Sequence, residues 1–147
     1  MKISIQRFPH AVDFPLPAYA TEGSAGLDLI AAISEDVIIG PGERAMIPTG
    51  IAIHLPVGYE AQIRSRSGLA AKNGIIVLNA PGTIDSDYRG EICVVLANTD
   101  DKSFVVAPGM RVAQMVVAPY TTVTLHEDGA FDMSTTRGIG GFGSTGL

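Results

Sequence analysis

The densest group of chemically capable side chains in this sequence lies at Gly82-Thr83-Ile84-Asp85-Ser86-Asp87-Tyr88-Arg89-Gly90. A turn ahead of a strand accounts for the glycines and for Asp87. It accounts poorly for two aspartates, a tyrosine and an arginine packed together. An aspartate beside a ring that excludes water is suited to act as a general base. A second group, Arg64-Ser65-Arg66-Ser67-Gly68-Leu69, sets two guanidiniums and two hydroxyls at the start of a short predicted helix. Backbone donors and the helix dipole make such a place attractive to an anion, and arginine forks match phosphate oxygens. Ser67 is equally well explained as an N-cap.

Three other segments stand out. Ser24-Ala25-Gly26-Leu27-Asp28-Leu29 places a carboxylate between two leucines. Asp28 could pin a turn or pair with an arginine; it could also hold waters around a metal ion. Gly109-Met110-Arg111-Val112-Ala113-Gln114 opens a strand after a turn, and Arg111 and Gln114 taken alone read as structural. The stretch Arg137-Gly138-Ile139-Gly140-Gly141-Phe142-Gly143-Ser144-Thr145-Gly146 is almost all small residues, for which a flexible terminus is the bland reading. Its arginine, its one aromatic and its Ser-Thr pair point elsewhere. Glycines let a backbone approach a phosphate and donate N–H groups to it, so the tail could be a lid that orders on a ligand. His10, His54 and His126 have no spacing that suggests a metal site. Cys93, the single cysteine, sits in the apolar run Ile92-Cys93-Val94-Val95-Leu96 and reads as a small buried hydrophobe rather than a reactive thiol.

Short strands must position these groups. Runs rich in Val and Ile predict strands at 2–6, 36–39, 45–47, 51–55, 60–64, 75–78, 91–97, 104–106, 112–117 and 121–125, parted by turns such as Gly40-Pro41-Gly42 and Ala107-Pro108-Gly109. One helical stretch is predicted at 67–72, ending at Asn73-Gly74, a pair suited to a left-handed terminus. Many short strands with 17 glycines and 9 prolines suggest an all-β sandwich or barrel. The 147 residues fit one domain, and a mean hydropathy of +0.28 with 17% charged residues suggests a generous core with some apolar surface covered by partner subunits. No apolar run approaches the roughly 20 residues needed to cross a membrane. The amino terminus alternates like a strand rather than a signal peptide, so a cytoplasmic location is expected. A net charge of −5 argues against broad nucleic-acid binding, though not against one nucleotide held by a local arginine cluster.

Taken together and in this order, the five segments resemble the motifs of the trimeric dUTPase family (deoxyuridine 5′-triphosphate nucleotidohydrolases), from Ala25 to Gly146. One departure is Ser65, which stands where many members have proline. The resemblance implies a jelly-roll or β-clip barrel over residues 1–127 with one short helix, and an arm at 128–147 that closes a site of another subunit in a homotrimer. It implies hydrolysis of dUTP to dUMP and diphosphate by an Asp85-activated water at the α-phosphorus. That reaction limits uracil incorporation into DNA and supplies dUMP for dTMP synthesis. The residues it assigns to substrate are Arg66, Ser67, Gly68, Asn79, Gly82, Thr83, Ile84, Tyr88, Gln114, Arg137, Phe142, Gly143, Ser144 and Thr145. Among them Asn79 would read uracil in a β-hairpin pocket near residues 74–88, Tyr88 would pack under the deoxyribose, and Phe142 would stack on the base. Mg²⁺ would be held mainly by the phosphates, with Asp28 reaching it through water.

Three rivals share parts of this pattern. A dCTP deaminase of the same superfamily is understood to use a glutamate-centred site, which the Asp85–Tyr88 cluster and complete tail fit less well. A nucleotide-binding regulator without turnover would lack the base or the tail. A purely structural jelly-roll protein explains the strands but not the coincident motifs.

Overall fold

The computed structural model describes residues 1–127, 129 and 134–141. Alternation of apolar and polar residues builds most of its strands. In β9 (Cys93–Asn98), Val94 and Leu96 are fully buried while the residues between them face outward. In β6 (Tyr59–Arg64), Ala61 and Ile63 point inward and Glu60, Gln62 and Arg64 form a hydrogen-bonded row on the other face. The other strands are β1 (Ser4–Arg7), β2 (Leu27–Ile30), β3 (Val37–Ile39), β4 (Arg44–Pro48), β5 (Ile51–His54), β7 (Ile75–Val77), β8 (Gly82–Ile84), β10 (Phe104–Val106) and β11 (Arg111–Pro119).

All pairings are antiparallel and fall into four sheets, ordered β2-β11-β6-β8, β4-β9-β7, β1-β5 and β10-β3. The all-β architecture expected from composition is present, and its sheets are compatible with the jelly roll that the resemblance implies, although no sheet closes on itself. Leu29, Ile39, Ile47, Ile63, Leu96 and Val112 lie in the shared core. Each buried aliphatic side chain of this size contributes about 1.5–3 kcal/mol.

The single α-helix among the described residues, α1 (Ser67–Asn73), ends on Gly74 in the left-handed region at φ 61°, as Asn73-Gly74 suggested. Three expectations need correction. Residues 121–125 form no strand: Pro119 already pairs with Tyr59 at the start of β6, and Tyr120 N–H makes the last rung of that ladder with the Gly58 carbonyl. With no ladder to join, Val123 and Leu125 stay exposed. Residues 74–88 are not a hairpin, since β7 pairs with β9 while β8 pairs with β6. A turn closed by Ala80 N–H on the Val77 carbonyl carries the chain from one sheet to the other, and Pro81 has no N–H with which to extend a ladder. Finally, β2 and β8 were not expected, because each is short and bordered by Gly, Asp or Pro.

Asn98 is the polar pin of the core, 2% exposed. Its Nδ2 donates to the Ile39 carbonyl at 2.9 Å and the Lys102 carbonyl at 2.7 Å, and its Oδ1 accepts Asp100 N–H at 2.9 Å. Asn98→Ala would strand a buried carbonyl. The expected loss is about 1–3 kcal/mol of unfolding free energy, read by urea denaturation at fixed protein concentration. A loss below about 0.5 kcal/mol, typical of a surface change, would contradict this role.

Candidate active site

Because β11 pairs on both edges, Gln114 stands opposite Asp28 of β2 and opposite Arg64 of β6. Three residues beyond Arg64 the chain enters α1, which brings Arg66, Ser67 and Gly68 to the same end of the sheet. These residues line a pocket of about 390 Å³ with Asp28, Gln114 and Gly26. Arg66 Nε donates to Asp28 Oδ1 at 3.0 Å, and Arg111 Nη1 faces Asp28 Oδ2 at 3.4 Å. Arg66 Nη1 also donates to the Arg111 carbonyl at 3.0 Å. Counting Arg111, which stands beside the pocket rather than in its lining, two guanidiniums meet one carboxylate and positive charge is in excess at this end of the sheet.

Gln114 Nε2 donates to the Ser65 carbonyl at 2.9 Å. Its Oε1 lies so near Gly26 that a Cβ there would sit 2.6 Å away. The Ser65 hydroxyl accepts Val77 N–H at 2.8 Å and ties the helix entry to β7. The cap position belongs to Arg66, with no side-chain cap bond, and Ser67 is the first helical residue. The N-cap reading of Ser67 is therefore corrected; the residue is exposed and lines the pocket.

A second pocket, of about 450 Å³, is lined by Thr83, Ile84, Asp85, Tyr88, Met46 and Cys93, with Glu91 and Ile92 beside them. Tyr88 N–H closes a turn on the Asp85 carbonyl at 3.2 Å. Arg89 Nη1 staples that turn through the Ser86 and Tyr88 carbonyls at 2.7 and 2.8 Å. The Tyr88 hydroxyl donates to the Glu91 carbonyl at 2.9 Å. Asp85 is exposed, and no hydrogen bond or ion pair ties up its carboxylate among the described residues. Asn79 stands against Gly82, its Nδ2 3.1 Å from where a Cβ would be.

The two pockets share no residue. Gln114 pairs with Arg64 while Ile84 pairs with Ala61, three residues along β6 and two strands apart. That separates them by roughly 14 Å, and Asp85 lies one residue farther. Within one chain, Asp28, Arg66, Ser67, Gly68 and Gln114 come together, and so do Thr83, Ile84, Asp85 and Tyr88; the two sets do not meet. Arg137 is in neither pocket, its Nε donating to the Gly140 carbonyl at 3.0 Å. Phe142, Gly143, Ser144 and Thr145, and Asp128 at the start of the arm, lie outside the described residues.

Met46 and Glu91 line the second pocket although the motifs alone did not mark them. Met46 carried a signal, since alternation along β4 turns it outward, 69% exposed. No three His, Cys, Asp or Glu side chains gather as metal ligands among the described residues. No helix there is long and apolar enough to cross a membrane.

The dUTPase family model matches residues 12–146. The chain is 57% identical over 146 residues to the deoxyuridine 5′-triphosphate nucleotidohydrolase of Anaplasma marginale (strain St. Maries), covering 99% of each. It is 60% identical over 132 residues to that of Orientia tsutsugamushi (strain Boryong), covering 90% of this chain and 88% of the relative. A Staphylococcus bacteriophage 80alpha dUTPase mutant with dUpNHpp superposes with a TM-score of 0.88 at 25% identity, covering 99% of each chain.

Cys93, expected to be buried, is only partly so, because Ile92 and Val94 take the inward positions on either side of it. Burial pushes its thiol up, and the Glu91 carboxylate adds to the shift. Alkylation by iodoacetamide is therefore expected to be slow at neutral pH and to quicken only above the usual thiol range. Rapid labelling at pH 7 would contradict that environment.

Proposed function

The chain belongs to the dUTPase family and is a dUTP diphosphatase, and on that premise we propose how its residues divide the work. The observation that carries the reading is the pair of separate pockets, one basic and one bearing Asp85 and Tyr88. In this reading the active site is completed when the basic pocket of one protomer meets the Asp85 pocket of another in a homotrimer. The exposed apolar surface of Met46 and Tyr88 at the rim of the second pocket supports a covering partner.

Asp85 accepts a proton from water as that water attacks the α-phosphorus. The bond from the α-phosphorus to the bridging oxygen breaks, releasing diphosphate and leaving dUMP. General-base help is worth about 10²–10⁴ in rate, so positioning and charge stabilisation must supply the rest. Arg66, Ser67, Gly68 and Gln114 receive the phosphates. Asp28 keeps the Arg66 guanidinium aimed, so little reorganisation is left for the moment of reaction.

Mg²⁺, when bound, would neutralise phosphate charge. The donor set fits an ion carried in by the substrate, because among the described residues Asp28 is the one carboxylate in this pocket and both its oxygens already face guanidiniums, which favours a contact through water. The arm, residues 128–147, closes over the site. Arg137, Ser144 and Thr145 clamp the γ-phosphate, Gly143 gives its backbone to the phosphates, and Phe142 covers the base. At about 3.3 Å per extended residue the arm could span on the order of 60 Å, enough to reach a neighbouring protomer.

Selectivity rests on the Asp85 pocket together with Asn79 and Gly82, which lie next to one another just outside its lining. Asn79 and the backbone of Gly82, Thr83 and Ile84 match uracil's donors and acceptors. Cytosine would leave polar groups unpaired there, at about 1–3 kcal/mol each. Tyr88 packs under the deoxyribose, where a 2′-hydroxyl would clash. The reaction keeps uracil out of DNA and provides dUMP for dTMP synthesis. Its free nucleotide substrate sets the work in the cytoplasm, with no nucleic acid as direct partner.

Diphosphate release from dUTP, dCTP, dTTP and UTP, each with Mg²⁺, is expected with dUTP alone; equal release from dCTP would overturn the uracil assignment. Asp85→Asn should bind dUTP normally while turnover falls by about 10²–10⁴, and near-normal turnover would remove Asp85 as the base. A chain ending before Arg137 should remain a folded trimer with little activity. Full activity from it would show that the arm takes no part.

A further inference from the structure

We propose that Gly90 and Glu91 are positioning residues that set the orientation of Tyr88, and through it the preference for deoxyribose over ribose. The proposal rests on the reading of Tyr88 as the sugar filter. Tyr88 is 44% exposed, so burial alone does not hold its ring. Two contacts with the chain just ahead of it do. The ring lies across Gly90, where a Cβ would fall 2.6 Å from Cζ and 2.9 Å from Cε2, closer than real carbon atoms approach. The hydroxyl donates to the Glu91 carbonyl at 2.9 Å.

That carbonyl can orient a ring only if it is itself fixed, and the Glu91 side chain fixes it. Oε1 accepts Gly50 N–H at 2.7 Å and faces His10 Nε2 at 3.0 Å. The next residue continues the attachment: Ile92 N–H donates to the Ile51 carbonyl at 2.9 Å, and the Ile92 carbonyl accepts the Thr49 hydroxyl at 2.6 Å. On the other side, Arg89 closes the turn that carries Asp85 and Tyr88. The sugar-facing loop is thus anchored to the start of β5 and to the 3-10 turn Pro9–Ala11. Glu91 borders the Asp85 pocket, but its carboxylate Oε1 is engaged by Gly50 N–H and His10. Gly90 and Glu91 act by leaving the Tyr88 ring one place to lie.

An apolar surface discriminates against one added hydroxyl by about 10², and a ring free to tilt forfeits part of that. The experiment compares kcat/KM for dUTP and UTP in wild type, Tyr88→Ala, Glu91→Ala, Glu91→Gln and Gly90→Ala. Glu91→Ala and Gly90→Ala should each lower the dUTP/UTP ratio on the order of tenfold. Glu91→Gln keeps an acceptor for Gly50 N–H and should stay within about twofold of wild type. In a Tyr88→Ala background, Glu91→Ala should lower the ratio no further, because the two act through one ring. A purely structural role would depress both substrates alike and leave the ratio unchanged. Gly90 does not have a positive φ, so Gly90→Ala tests the ring contact without backbone strain and serves if Glu91→Ala does not fold. If Tyr88→Ala itself leaves the ratio intact, the sugar-filter reading fails. If Tyr88→Ala lowers it while Glu91→Ala and Gly90→Ala do not, the positioning role is overturned and the filter survives.

Discussion

A strand that is hydrogen-bonded along both edges has no freedom to slide, and β11 holds this position between β2 and β6. A shift of one residue would turn its buried side chains to the other face, so core packing fixes the register. That register in turn places Gln114 between Asp28 and Arg64. The basic pocket is a by-product of core packing: once Met115 and Ala113 are inside, Gln114 must point outward beside Asp28. Arg66 then needs only the short step into α1 to meet the carboxylate.

The Asp28–Arg66 pair adds little to folding, since partly exposed ion pairs are worth about 0–1 kcal/mol. Its value is geometric. Arginine side chains lose considerable rotamer freedom when ordered, and a guanidinium already held by a carboxylate and the Arg111 carbonyl meets an anion with that cost largely met. The same logic governs Tyr88, fixed by Gly90 and the Glu91 carbonyl before any sugar arrives. Both halves of the proposed site are preorganised by interactions that the substrate does not make.

Much of this was legible from local pattern. The strands around Ile51, Phe104 and Val112 followed from β-branched runs between turns, and the helix end followed from Asn73-Gly74. What stayed hidden was set by partners distant in sequence. Leu27–Ile30 and Gly82–Ile84 become strands because β11 and β6 offer them edges, not because their own residues favour it. Residues 121–125 had the right composition and no edge to join. Asp28, Arg66 and Gln114 were identifiable as motif residues, yet the grouping that matters was not. Strand registry puts them in one pocket and Asp85 in another, and no spacing along the chain encodes that separation. Glu91 escaped notice because its function depends on the backbone N–H of Gly50, a partner with no side-chain signature.

The two half-sites lie roughly 14 Å apart along one sheet and share no lining residue, so the proposed chemistry joins the half-sites of neighbouring protomers. Mixing Arg66→Ala and Asp85→Asn chains, each inactive alone, and refolding them together tests this directly. If each site takes its basic pocket from one protomer and Asp85 from the next, about one quarter of sites in randomly mixed cyclic oligomers regain both groups, and activity should rise far above that of either parent. Activity no greater than the sum of the parents, in oligomers shown to be mixed, would contradict a shared site.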